Sequence, residues 1–228
     1  ILPQLNCPKI FIDRDHLYGH NMLCPYDVPV TNLYTKIFYP DPSDIGYILI
    51  RQPHEVLPTS VALQFLRITH SKPLIVAAHN GEPSETIAFF QQVMASIDFE
   101  QWELRLATLL PLKHPNLAPF LIHYYPLVEL FSAIDLLITG AGYNSVAEST
   151  AFNIRVLFRP FPRPVDQQWE RVKNKDLFFE TSEPQEIREL IKHKLITHFP
   201  LHLPNKLQGA ENIAAYIAKH ITAKKSYT

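Results

Sequence analysis

The stretch DLLITGAGYNSVAES at residues 135–149 is an apolar run that breaks on Gly140, Ala141 and Gly142 and restarts with small, helix-compatible residues. The apolar run reads as a strand buried on both faces and the segment after the glycines as a helix. Strand, glycine turn and helix in that order form one unit of a parallel α/β sheet, so the neighbouring segments decide whether the unit repeats.

They repeat it. Upstream, PLIVAA at 73–78 reads as a buried strand, SETIAFFQQVMASI at 84–97 as an amphipathic helix and WELRLATLL at 102–110 as a second strand. LAPFLIHYY at 117–125 and a short helix, PLVELFSAI at 126–134, lead into the opening stretch. Downstream follow a helix SVAESTAF at 145–152, a strand RVLFRP at 155–160, a helix around DQQWERVKN at 166–174 and a strand DLFFE at 176–180. Two helical patterns, PQEIRELIKHKL at 184–195 and GAENIAAYIAKHI at 209–221, end the series. The expected fold class is therefore α/β, with a Rossmann-like doubly wound parallel sheet over residues 72–228 whose ligand lies outside the carboxyl ends of the strands.

Residues 1–60 differ. Short apolar runs (PKIFID, GYILIR) alternate with proline-rich turns (DVPV, YPDPSD, RQPHEVLP) and show little helical periodicity. They read as the remnant of a second α/β domain plus a linker. The chain opens on Ile1 and enters a strand-like segment at 8–13 at once, which reads as a truncated domain.

Composition narrows the partners. A core is affordable at 46% hydrophobic content over 228 residues, and the net charge of −1, from 21 basic and 22 acidic residues, provides no footprint for a nucleic acid. Cys7 and Cys24 read as free thiols in a reducing compartment, and no His, Cys or carboxylate group has metal-ligand spacing. No run approaches the roughly 20 apolar residues that span a bilayer, and no signal peptide opens the chain, so a cytoplasmic location is expected. Glycine is scarce at six, and three of these, Gly81, Gly140 and Gly142, directly follow strongly apolar strands.

A dinucleotide fingerprint requires Gly-x-Gly-x-x-Gly or Ala and an acidic residue about 20 positions on. Here the third position is Ser145 and the next strand ends in Arg159 and Pro160, so a nicotinamide or flavin cofactor is disfavoured. Two readings of the turn stand: an anion site of backbone N–H groups at a helix start, or glycines that merely permit positive backbone dihedrals. Glu148 likewise has two: a capping box with Ser145, or a carboxylate that accepts bonds from a ribose diol, the helix then being capped by Asn144 or Ser145 without it. For His79 and Asn80 the plainer reading is an ordinary turn with Ser84 capping the next helix.

Three pieces in order, AIDLLITGAGYNSVAE at 133–148, VLFRP at 156–160 and DQQWE at 166–170, resemble the donor-binding C-terminal domain of GT-B glycosyltransferases of the MurG-like and UDP-glycosyltransferase-like group. The resemblance covers about residues 72–222. It implies a backbone role for Gly142, Tyr143, Asn144 and Ser145 at a donor diphosphate, and Glu148 on the nucleotide ribose. It places the base at the backbone of Ile122 and the donor sugar at Gln167 and Gln168, with Asp166 as the alternative. Asn80 and Gly81 correspond to a glycine loop near the phosphates, although relatives often carry two or three glycines there. A basic residue at the diphosphate is sought among Arg159, Arg163 and His79.

The implied activity is transfer of a sugar from a nucleotide-diphosphate sugar, UDP-linked as first choice and TDP-linked as second, to an unidentified acceptor hydroxyl. The resemblance implies an inverting, metal-independent reaction, with the nucleotide sugar as substrate and no cofactor. The acceptor's base would lie on the incomplete N-terminal part, where Asp13, Asp15, His16 and His20 are the candidates. Relatives that use lipid-linked acceptors leave a peripheral membrane position open. Two other functions remain: a non-catalytic nucleotide-sugar-binding half that docks a separate acceptor subunit through the final helix, and a sugar-nucleotide epimerase or hydrolase.

Overall fold

A computed structural model describes residues 9–12, 34–40, 44–69, 72–163, 166–173, 178–197 and 207–225. The chain divides into two compact units: residues 1–49, 163–167 and 204–228, and residues 50–162 and 168–203.

In the second unit, strands β3 (Leu74–Ala78), β4 (Glu103–Ala107), β5 (Leu121–Ile122), β6 (Leu136–Gly140) and β7 (Val156–Arg159) form a five-stranded sheet in the order β5-β4-β3-β6-β7. All four pairings are parallel, with Val76 opposite both Arg105 and Leu137, and Ile138 opposite Leu157. The expected α/β sheet is thus present, and its central strands are buried along their length. Alternation along β3 divides the core: Leu74 and Val76 join a cluster with Leu137 and Phe158, whereas Ile75 and Ala77 join one with Leu104, Leu106 and Ile138.

Helices cover both faces. Helix α2 (Pro83–Ser96) buries Thr86, Phe89, Phe90 and Val93, the spacing of one helical face, and α5 (Pro184–Ile196) buries Ile187 and Ile191 beside it. The other face receives α1 (Thr59–Phe65), the 3-10 segment Leu127–Ala133 and α3 (Tyr143–Ala151), with Ala62, Leu130 and Val146 in one cluster. A short α4 (Gln168–Val172) follows β7.

Several local expectations change. Helix α1 lies where a linker merges into the domain. Its closing turn ends at Arg67 (φ 54°) and is tied down by Arg105, whose guanidinium donates to the carbonyls of Leu66 (2.7 Å) and Arg67 (2.6 Å). That tertiary bond is invisible to local periodicity. The short helix expected at PLVELFSAI is a 3-10 helix, and the described residues of DLFFE contribute a parallel bridge from Phe178 to Phe158.

The first unit contains a parallel pair, β1 (Ile10–Ile12) with β2 (Lys36–Phe38), and α6 (Gly209–Lys225). Ile213 and Tyr216 of α6 pack with Phe38, Ile45 and Ile48, and Asn212 donates to the Ile45 carbonyl at 2.8 Å. Gly209 begins this helix because a Cβ there would lie 2.5 Å from the Gly46 carbonyl oxygen. Among the described residues no helix is long and apolar enough to cross a membrane.

Candidate functional site

From β3 the chain adds β4 and β5 on one side, then crosses to add β6 and β7 on the other. The crevice outside the carboxyl ends of β3 and β6 is therefore the topological switch point of the sheet, the place where such folds bind ligands. Two loops border it: residues 79–82 after β3, and residues 141–142 after β6.

The first loop is built around His79. Its Nε2 lies 2.7 Å from Glu85 Oε1, its ring stacks on Phe161 (4.3 Å, 25°), and its side chain is only 9% exposed. Asn80 faces the other way: its Oδ1 accepts from the Leu109 N–H (2.6 Å) and the Thr108 hydroxyl (3.1 Å), joining this loop to the end of β4. A Cβ at Gly81 would collide with the side-chain ends of both His79 and Glu85, so the pair would have to shift. Helix α2 has Glu82 as N-cap and Pro83 at N1 without a side-chain cap, so Ser84 does not cap it.

The second loop contradicts the positive-dihedral reading of its glycines. Gly142 has φ −62° and ψ 154°, and among the described glycines Gly46 is the one with a positive φ. Nor is conformation the reason for Gly142: a Cβ there would meet nothing within 4 Å. The space beside its backbone is open, which suits close approach of a ligand to the chain. Gly142 is the N-cap of α3, and the first helical bond runs from the Val146 N–H to the Gly142 carbonyl (3.0 Å). The N–H groups of Gly142, Tyr143, Asn144 and Ser145 therefore precede the helical ladder, where the helix dipole favours an anion.

The capping-box reading of Glu148 is also overturned, together with capping by Asn144 or Ser145. Because α3 starts at Tyr143 and has no side-chain cap, Ser145 is its third residue and Glu148 its sixth, outside the reach of a cap. Tyr143, Val146, Ala147, Ser149, Thr150 and Ala151 are buried, Asn144 is exposed, and Ser145 and Glu148 are half-buried. Among the described residues the Glu148 carboxylate has no hydrogen-bond or ion-pair partner. Burial pushes its pKa up to about 7.

A cation that sequence reasoning missed completes the turn. Arg171, on α4, donates from a guanidinium nitrogen to the Ala141 carbonyl at 2.8 Å. Its position three residues after Gln168 on a short helix was the available signal. Gln168 is buried, and its Oε1 accepts the Phe161 N–H at 3.0 Å, which fixes the segment carrying the ring stacked on His79. Arg159 instead donates to the Glu180 carbonyl at 3.0 Å, beside the Phe179 ring.

Other candidates are dispersed. Ile122 is buried at the end of β5, and its carbonyl accepts the Thr108 N–H at 3.2 Å. Arg163, Asp166 and Gln167 belong to the first compact unit, whereas Gln168 belongs to the second. Cys7, Asp13, Asp15, His16, His20 and Cys24 lie outside the described residues. Among the described residues no group of three or more His, Cys, Asp or Glu side chains is placed to hold a metal ion.

A doubly wound parallel sheet with a glycine turn at its switch point defines the chain as Rossmann-like, and its fold is that of the GT-B glycosyltransferases. It is similar to MurG from Acinetobacter baumannii, with a TM-score of 0.55 and 12% identity over 94% of this chain and 67% of that one. It is similar to the calicheamicin glycosyltransferase CalG4, with a TM-score of 0.53 and 15% identity over 86% of this chain and 55% of that one. It also resembles the spinosyn rhamnosyltransferase SpnG, solved with spinosyn aglycone, with a TM-score of 0.51 and 11% identity over 95% of this chain and 64% of that one. The chain thus spans between about half and two thirds of these solved structures. No protein-family model matches it, and no curated protein matches it in sequence.

Proposed function

We propose that this chain carries the donor-binding domain of a glycosyltransferase that uses a nucleotide-diphosphate sugar, UDP-linked as first choice and TDP-linked as second. The observation that carries this reading is the β6–α3 turn, where open space beside the Gly142 backbone, the helix start and the unpartnered Glu148 carboxylate meet at one sheet edge. In it, the diphosphate lies against the N–H groups of Gly142, Tyr143, Asn144 and Ser145, and the Glu148 carboxylate accepts from the ribose hydroxyls.

In the reaction an acceptor oxygen forms a bond to the anomeric carbon while the bond from that carbon to the diphosphate oxygen breaks, its electron pair leaving with the nucleotide. Fixed N–H donors favour the charge that builds on the departing diphosphate. The acceptor proton passes to a base sought among Asp13, His16 and His20 of the N-terminal segment, which the reading assigns to the acceptor side. Backbone atoms of Ile122 read the base, and Gln167, Gln168 and Asp166 are assigned to the donor sugar. Asn80 and Gly81 hold the phosphate-side loop.

Titration of the chain with UDP, TDP, GDP and NAD tests the reading. UDP or TDP is expected to bind in preference to GDP and NAD, and Glu148→Ala to weaken that binding at least tenfold. Failure of both UDP and TDP to bind, or unchanged affinity in Glu148→Ala, would sink it.

A further inference from the structure

At the opposite edge of the five-stranded sheet, where β6 and β7 begin, a cleft of about 540 Å³ opens between residues 53–56, the 3-10 segment and the carboxyl end of α3. That volume falls within the roughly 300–1,000 Å³ of small-molecule sites. Its apolar lining comes from Val56 and Ile134 and from Phe131 and Phe152, whose rings meet edge to face at 5.8 Å.

Two charged residues share the cleft without pairing. Asp135 accepts the Leu74 N–H at 2.7 Å through Oδ2, which ties it to the sheet. Arg155 is held by its backbone, the carbonyl accepting the Leu137 N–H at 2.9 Å, but its buried Nε meets no acceptor. Among the described residues its guanidinium has no partner. A charged group is costly to leave unmet, and an anion in the cleft that Arg155 lines is a physical explanation for one.

The carboxyl end of α3 does not need this cation as a cap. The carbonyls of Glu148, Ser149 and Thr150 already accept from Phe152, Ile154 and Asn153, the last with a left-handed φ of 49°. Asp135 and Arg155 carry opposite single charges, so a bound dianion would leave the cleft with two net negative charges and a monoanion with one, which favours the monoanion of the two.

We propose that this cleft is a second binding site, for a small monocarboxylate with an apolar body. The carboxylate accepts from Arg155, and the body lies against Phe131, Phe152 and Ile134. This inference stands on its own, whatever binds at the other sheet edge.

Calorimetric titration of the chain with 3-phenylpropionate, 3-phenylpropanol and inorganic phosphate tests it. Saturable one-to-one binding of 3-phenylpropionate is expected, with the alcohol and phosphate at least tenfold weaker. Arg155→Gln should weaken the carboxylate at least tenfold and leave the alcohol unchanged. No saturable carboxylate binding, an alcohol or phosphate that binds as well, or an indifferent Arg155→Gln would overturn the proposal. If Arg155→Gln does not fold, the comparison of carboxylate with alcohol on the unmodified chain decides.

Discussion

Glu85 Oε1 lies 2.7 Å from His79 Nε2, and the two side chains meet over the one position, Gly81, where any Cβ would push them apart. The loop after β3, the first turn of α2 and the Phe161 ring stacked on His79 therefore act as one packed unit.

Gly81→Ala is expected to destabilise the protein by about 1–3 kcal/mol through overpacking. Most of that cost should vanish in a Glu85→Ala background, where the imidazole can move. Thermal or urea unfolding of the two single variants and the double variant measures the coupling, expected at about 1–2 kcal/mol. Full additivity would mean that Gly81 does not answer to this pair.

Gly142→Ala should separate folding from binding. The added methyl meets nothing within 4 Å, and the backbone is already in a conformation open to any residue. Its stability cost, that of an alanine N-cap, is expected under about 1 kcal/mol. UDP affinity should nevertheless fall at least tenfold if the diphosphate lies on that backbone, as calorimetry of variant and parent would show.

Glu148 gives a pH dependence with a definite sign. Its folded pKa, pushed up to about 7, exceeds the value of 4.5 for a free side chain, so between these the folded state holds more protons than the unfolded one. Stability attributable to this group therefore declines as pH rises from about 4.5 to 7. Glu148→Gln should gain about 1 kcal/mol at pH 8 and nothing at pH 4, the full shift being reduced because the side chain is partly exposed. Nucleotide binding runs the other way, because a ribose diol donates to the ionised form, so UDP affinity should weaken as pH falls below about 7. A flat affinity between pH 6 and 8 would count against the ribose role.

Arg171 holds the turn through the Ala141 carbonyl. Arg171→Met is expected to lower UDP affinity about tenfold while costing about 1.5–3 kcal/mol of stability, the loss of a hydrogen bond from a charged group. Arg171→Lys should not restore it, since an ammonium lacks the planar fork. Parallel titrations and melts of the two variants check both halves.

The parallel sheet was legible because its strands are continuous apolar runs at helix-length intervals, as in LIVAA of β3 and LLITG of β6. The glycine turn was legible for the same reason: a run that ends on glycine before a helix has few alternatives. Helix α1 was not, because its seven residues are short and proline-flanked and its end is held by Arg105 from a strand 38 residues away in sequence. Capping at Ser145 was misjudged because local pattern does not register where a helix begins; the turn after β6 started α3 two residues earlier.

Sequence alone determined the fold class, the order of strands and helices along the chain, and the glycine turn at the carboxyl end of β6. These rest on hydrophobic periodicity, which is local and survives without knowledge of partners. Tertiary structure decided what a Cβ would meet at Gly81 and Gly209, that Glu148 has no cap to make, and that Arg171 and Gln168 serve the loops beside the crevice. Those outcomes depend on which side chains the crossover from β5 to β6 brings within a few ångströms, a distance that chain spacing does not encode.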